Sequence, residues 1–229
     1  FIFLWCLGAQ RKGMVISMSR KTREKITCPK CGKENDFILW QSLNGEIDPE
    51  AQQKLLDGTL FRFQCENCGY EAHVDYGMLY HDMAHQAMVY YVRPESVEQT
   101  KKMMEEAEGQ FGSAMSGYKK RVVTSQNSLR EKAILFQHGL DDRVVEICKL
   151  FYLANASEQF PKAHITEVFF SIIDDDTYLL EFFGNESFSA EIPRGVYEET
   201  RKSLAEKLEA AGDSGSVVNL EWAMEFLRK

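Results

Sequence analysis

Two C-x-x-C-G units, Cys28-Pro-Lys-Cys31-Gly32 and Cys65-Glu-Asn-Cys68-Gly69, constrain this chain more than anything else in it. Two residues between paired cysteines let a tight turn aim both sulfurs at one point. The glycine that follows accepts the positive φ with which such a turn closes. Two knuckles of this kind supply four thiolates, the donor set of a closed tetrahedral site for zinc in a structural role. The spacing therefore predicts one structural zinc ion on Cys28, Cys31, Cys65 and Cys68, with an iron centre in the same sulfur cage as the competing occupant. The motifs also admit a pair of independent redox dithiols, which Cys28-Pro29-Lys30-Cys31 alone would suit, but the βαβ setting of such a motif is missing from the surrounding pattern.

The chain holds six cysteines in 229 residues, a number that in a secreted protein could form a disulfide framework. Their paired spacing favours metal instead. Thiolates that hold metal need reducing surroundings, so a cytoplasmic location is expected. Cys148 falls in the apolar pattern of a helix, where a small buried hydrophobe is the expected role, and Cys6 is left unpaired. The opening Phe-Ile-Phe-Leu-Trp-Cys-Leu-Gly-Ala is too short to span a bilayer. It is similar to the end of a secretory signal, with Leu7-Gly8-Ala9 in the place of a cleavage site, yet no basic stretch precedes it. The favoured expectation is that residues 1–13 lie upstream of the natural start, at Met14 or Met18. No other run approaches membrane-spanning length, and no membrane contact is expected.

The formal charge of −8 is unevenly placed. Residues 11–33 carry eight basic side chains (Arg11, Lys12, Arg20, Lys21, Arg23, Lys25, Lys30, Lys33) against Glu24 alone, whereas residues 141–229 carry nine basic against eighteen acidic. A chain this acidic is ill suited to wrapping nucleic acid by charge, although the basic 11–33 segment could touch phosphate locally.

The coarse pattern is α+β. A strand is predicted over residues 36–43, ended by Asn44-Gly45, then a helix capped by Asp48 and begun by Pro49. Residues 60–64 and 71–76 read as a hairpin around the second knuckle, and residues 87–92 as a strand after an irregular Tyr-, Met- and His-rich stretch. Residues 95–117, mostly charged and then glycine-rich, are taken as a helix or linker at a domain boundary. Beyond it come a strand at 119–124, a helix with Ser128 and Glu131 at capping-box spacing, and a helix capped by Asp141 or Asp142. Val144, Val145, Ile147, Cys148, Phe151 and Tyr152 form the buried face of that second helix. Strands at 164–173, 177–183 and 187–192 make an antiparallel meander, and helices from Pro193 to Gly212 and from Val218 to Leu227 close the chain. The expected organisation is a tail over residues 1–24, a zinc-ribbon-like module over 25–94, the charged segment 95–117, and an acidic α+β domain over 118–229.

The stretch from Cys28 to about Pro94 resembles the CpXC family, prokaryotic proteins named for two paired-cysteine motifs. The second motif departs from the family pattern by carrying Glu66 where proline is typical, which touches turn stiffness rather than ligation. The resemblance continues at Arg121-Val-Val and at Leu140-Asp-Asp-Arg143. It implies a metal site and a bacterial or archaeal setting, and no known activity.

Three further groups are candidates for chemistry. His73, His81 and His85 gather with Asp75 and Asp82, and the i, i+4 spacing of His81 and His85 would bring both to one face of a helix as ligands or as acid and base. An irregular packed loop is the competing reading. Asp174-Asp175-Asp176 reads as a solvated turn rather than a cation site. Phe37, Trp40, Phe61, Phe63, Tyr70, Tyr76 and Tyr80 read as core rather than as a stacking platform for bases. The expected function is a non-enzymatic binding module with a protein partner. The alternatives are an enzyme with an inter-domain pocket using His81, His85 or Asp82, and a nucleic-acid binder using residues 11–33.

Overall fold

The computed structural model describes residues 19–229 apart from positions 116 and 214, and the side chains of residues 110–115 also lie outside the description. The expectations for residues 1–13, Cys6, Arg11 and Lys12 fall outside the described residues.

Five strands form a mixed sheet in the order β1-β2-β5-β6-β7, made of β1 (Arg20–Thr27), β2 (Glu34–Asn44), β5 (Met78–Asp82), β6 (Ala87–Tyr91) and β7 (Lys119–Val123). Neighbours β1–β2 and β5–β6 are antiparallel, while β2–β5 and β6–β7 are parallel and require crossovers. The first crossover contains α1 (Pro49–Leu56) and the small hairpin of β3 (Arg62–Gln64) and β4 (Glu71–His73); the second is α2 (Val97–Met115). After β7 come α3 (Gln126–Gln137) and α4 (Asp142–Gln159), then the antiparallel meander of β8 (Ile165–Ile172), β9 (Thr177–Gly184) and β10 (Phe188–Pro193). The chain closes with α5 (Arg194–Ser203), α6 (Ala205–Ala211) and α7 (Leu220–Arg228). The α+β expectation and its meander hold.

The boundary expected at residues 95–117 is corrected by the sheet. β7 lies beyond that segment and pairs along its whole length with β6, which lies before it. One apolar core joins Trp40, Leu43, Tyr80 and Val89 to Leu129, Phe136, Val144, Phe170, Phe182 and Phe226. The segment itself is a helix whose Met104 packs with Met88, Tyr90 and Val122 on the opposite face of the sheet. Strand β6 is thus buried on both faces, which is why its sequence is a continuous apolar run rather than an alternating one.

Five local features differ from these expectations. Residues 20–27, expected as tail and basic segment, form strand β1; an edge strand is held mainly by its ladder to β2 and needs little apolar alternation. Residues 78–82, expected as irregular, form a strand buried by the elements on both sides of the sheet. The helix expected from Pro193 to Gly212 breaks at Leu204, and Phe151 on α4 is exposed rather than buried. The N-cap of α3 is Ser125, whose Oγ accepts from the Ser128 backbone N–H, and Glu131 points into the core instead of back to the helix start. Ser125→Ala should therefore cost about 1 kcal/mol in denaturant unfolding, and Ser128→Ala distinctly less.

Glu131 belongs to a feature that apolar periodicity could not reveal. Arg121, Glu131, Lys132, Asp142, Glu146 and Lys149 are all buried charges. The Arg121 guanidinium donates to Asp142 from Nε at 2.7 Å and from Nη2 at 2.9 Å. Lys132 Nζ lies 2.9 Å from Asp142 and 3.1 Å from Glu146, and Lys149 joins Glu146 at 3.4 Å and Glu131 at 2.5 Å. The second oxygen of Glu131 accepts the Phe170 backbone N–H at 2.6 Å. Three cations and three anions thus tie β7, α3, α4 and β8 together, each with a partner.

Candidate metal centre

Each C-x-x-C unit is the turn of a hairpin. The first connects β1 to β2 and the second connects β3 to β4. The same backbone bonds shape both: Cys28 N–H donates to Lys33 O at 2.9 Å and Cys65 N–H to Tyr70 O at 2.8 Å. Gly32 N–H then donates to Cys28 O, and Gly69 N–H to Cys65 O, each at 2.9 Å. The two glycines close their turns with φ of 70° and 69°, a conformation that side chains with a Cβ resist.

The two knuckles face one another. Cys28 Sγ lies 3.7 Å from Cys68 Sγ, and Cys31 Sγ lies 3.6 Å from Cys65 Sγ. All four sulfurs lie within 4.8 Å of one another, and they are the only group of three or more potential metal ligands among the described residues. Four thiolates at this separation can hold a single metal ion, since metal–sulfur bonds of about 2.3 Å in a tetrahedron require edges of about 3.75 Å. The first cysteine of each pair is buried and the second half-buried, and Phe37 and Phe63 pack beside them as a satellite of the main core.

Asn35 braces the two knuckles and was not anticipated. Its Nδ2 donates to Lys33 O at 3.0 Å and lies 3.6 Å from Cys65 Sγ, while its Oδ1 accepts the Glu66 N–H at 2.9 Å. One buried side chain thus touches both turns and a sulfur of the cage, the kind of support that would fix a metal ligand's orientation. Its position four residues after Cys31, at the start of β2, is the only sequence signal it gives.

Without a metal the thiols share their protons unevenly. Burial works against the Cys65 thiolate, but the N–H groups of Cys68 and Asn67 and the neighbouring sulfurs outweigh it and bring the group down to about 6. The Tyr70 backbone N–H favours the Cys68 thiolate, yet burial and the other three sulfurs hold its proton on up to about 12. Closure of all four around a cation therefore expels protons, and affinity falls as pH falls.

The histidine candidates separate. His81 and Asp82 are adjacent on β5, where consecutive side chains take opposite faces of the sheet. His81 Nε2 lies 3.3 Å from the Tyr118 hydroxyl. The buried Asp82 instead accepts from Tyr80 OH at 3.4 Å and pairs at 2.9 Å with Nδ1 of His85, which lies in the turn after β5. The helix that would bring His81 and His85 to one face is absent, so His81 stands apart from the Asp82–His85 pair. Asp174-Asp175-Asp176 is an exposed turn in which Asp174 accepts the Asp176 N–H at 2.9 Å. The aromatic candidates are core, with Phe37, Trp40, Phe61, Phe63 and Tyr80 buried and Tyr70 and Tyr76 packed against the metal-side cluster. The described part of the basic segment is partly neutralised: Lys21 lies 3.2 Å from Asp48, and Asp36 pairs with Arg23 at 3.5 Å and Lys25 at 2.6 Å. No described helix is long and apolar enough to cross a membrane.

A family model described as CpXC protein matches residues 26–149, more than half of the chain. That span contains the four clustered cysteines, Asn35 and the six buried charges from Arg121 to Lys149. No curated protein and no solved structure matches the chain.

Proposed function

Because the chain belongs to the CpXC family, we propose that its four cysteines hold one structural zinc ion and that the zinc-ribbon-like frame serves as a non-enzymatic interaction module for a protein partner. The observation that carries the proposal is the convergence of two hairpin turns on one sulfur cage with cross-knuckle separations of 3.6 Å and 3.7 Å. Zinc suits four thiolates because a filled-shell, borderline-soft ion accepts tetrahedral sulfur without a redox change. Four protein ligands leave it no open position for substrate or water, so such an ion stabilises a shape rather than activating a nucleophile. Thiolates kept for metal suit a reducing compartment, in keeping with a cytoplasmic protein of a prokaryote.

Elemental analysis of protein purified under reducing conditions without chelator should find about one zinc per chain. Iron in its place, or no metal, would overturn the zinc reading. Absorption in the visible range would identify the iron alternative at once.

A further inference from the structure

We propose that the outer edge of β1 is a docking site for an extended, acidic segment of a partner protein, which adds to the five-stranded sheet as a further strand. The inference rests on the reading of the protein as an interaction module and names the surface and the partner's chemistry. Among the described residues, strand β1 stands at the end of the sheet order, so alternate backbone N–H and C=O groups along its eight residues face away from β2. Its ladder to β2 is regular from Lys21 to Thr27, with the one register shift at Arg20/Lys21, and the strand contains no proline. An eight-residue edge with a regular ladder behind it is a template for another strand.

The side chains state which strand. Lys21, Arg23 and Lys25 alternate along β1 and share one face, opposite Trp40, Ile38 and Asp36 of β2. The other face, with Glu24 opposite Phe37 and Ile26 opposite Asn35, lies against the metal-side cluster. The three cations are therefore spaced by about 6.8 Å, the interval of every second residue in any neighbouring strand. Acidic residues at alternate positions of an added strand would meet them one for one. Arg23 and Lys25 are 70% and 63% exposed, and both lean on a single carboxylate, Asp36. Exposed pairs of this type are worth about 0–1 kcal/mol, so a partner's acids can compete for these cations. Exposed Ile38, beside Arg23 on the same face, adds apolar area in the middle of the row. The first cysteine knuckle begins directly after Thr27 and ends before Glu34, so its turn joins β1 to β2 and sets their register. Backbone pairing favours a polypeptide over nucleic acid, since a phosphate chain offers no ladder to the unpaired N–H and C=O groups.

The test uses the full chain with its metal and a fluorescein-labelled octapeptide of alternating Glu and Thr, followed by anisotropy at low ionic strength. The peptide should bind. Affinity should fall roughly tenfold in the Arg23→Glu, Lys25→Glu double variant, and by a comparable factor when alternate peptide nitrogens are methylated on the ladder-facing side. Unchanged affinity of the methylated peptide would show charge attraction without strand addition and overturn the proposal. Tighter binding of a single-stranded oligonucleotide than of the peptide would overturn it in favour of a nucleic-acid surface. No binding by metal-replete protein overturns the edge proposal and leaves the metal reading intact; binding by protein that carries no metal as purified supports the edge and sinks the metal reading.

Discussion

Cys65→Ser is expected to abolish metal retention and to loosen the paired knuckles without unfolding the molecule. Cys65 is a buried member of the sulfur cage that approaches Cys31 at 3.6 Å, and its backbone closes the second knuckle through Tyr70. Serine offers no soft thiolate, and three remaining sulfurs leave an incomplete cage. In small zinc modules metal binding supplies on the order of 10 kcal/mol because the unfolded chain has no preformed site. That figure is an upper bound here. If the stretch 25–94 were one zinc-ribbon-like module, as the sequence pattern suggests, all of it would depend on the metal, but the structure divides that stretch. Phe37, Phe63, Cys28 and Cys65 form a satellite cluster, whereas Trp40, Leu43, Tyr80 and Val89 belong to the core shared with α3, α4 and the meander. Hydrogen exchange should therefore show lost protection at Cys28, Gly32, Cys65 and Gly69 and retained protection at Val89 and Val123. Cys148→Ser, outside the cage, should keep its metal. A Cys65→Ser protein with parental metal content would remove the site, and one that is empty but exchanges like the parent would show that the metal does not order the knuckles.

The division between what was legible and what was not follows from the range of the interactions. Both knuckles were legible because a C-x-x-C-G turn is local: its geometry is set by five consecutive residues and needs no knowledge of the rest of the fold. The meander β8–β9–β10 and strand β6 were legible from apolar runs and turn residues, and Asp141 was legible as a cap. The strand β1 was hidden because Arg-Lys-Thr-Arg-Glu-Lys-Ile-Thr carries no apolar alternation, and only the partner strand makes it a strand. The boundary at residues 95–117 failed for a related reason. A mostly charged helix with a narrow apolar stripe looks the same whether it separates two cores or crosses over one sheet, and the parallel pairing of β6 with β7 is a long-range fact. Glu131 misled most directly. Its spacing from Ser128 suits a capping box, yet Ser125 already supplies the cap, and Lys149 and the Phe170 N–H draw the carboxylate into the core. The family resemblance did point at part of that network, since Arg121 and Asp142 sit in the two motifs beyond the cysteine knuckles and form its central pair.

Asp142→Asn should destabilise the protein by about 3–5 kcal/mol, because removing one partner of a buried ion network leaves uncompensated charge. Asp142 is fully buried and serves two cations at once, Arg121 through a bidentate pair and Lys132 at 2.9 Å. Asparagine keeps the shape and one acceptor but no charge, so Arg121 retains Asp213 and the carbonyls of Lys120 and Gly215, while Lys132 keeps only Glu146 as its near anion. The pH dependence follows from the same contacts. Burial works against the Asp142 carboxylate, but Lys132 and Arg121 outweigh it and hold its pKa far below the usual range. A group whose folded pKa is depressed contributes stability that is present above its unfolded value, about 3.9, and is lost as pH falls below it. Glu131 runs the other way: burial raises its pKa, so its proton is bound more readily in the fold and acid relieves part of the cost of its charge. Stability measured by urea unfolding from pH 7 down to pH 3 should therefore fall less steeply in Asp142→Asn than in the parent, and the two curves should approach one another in acid. Glu131→Gln, which removes the opposing contribution, should make the acid limb steeper than the parent's. A variant Asp142→Asn that unfolds at the parental urea concentration at pH 7 would show that the buried pair contributes no net stability, and parallel acid limbs in all three proteins would show that neither carboxyl titrates differently in the folded and unfolded states.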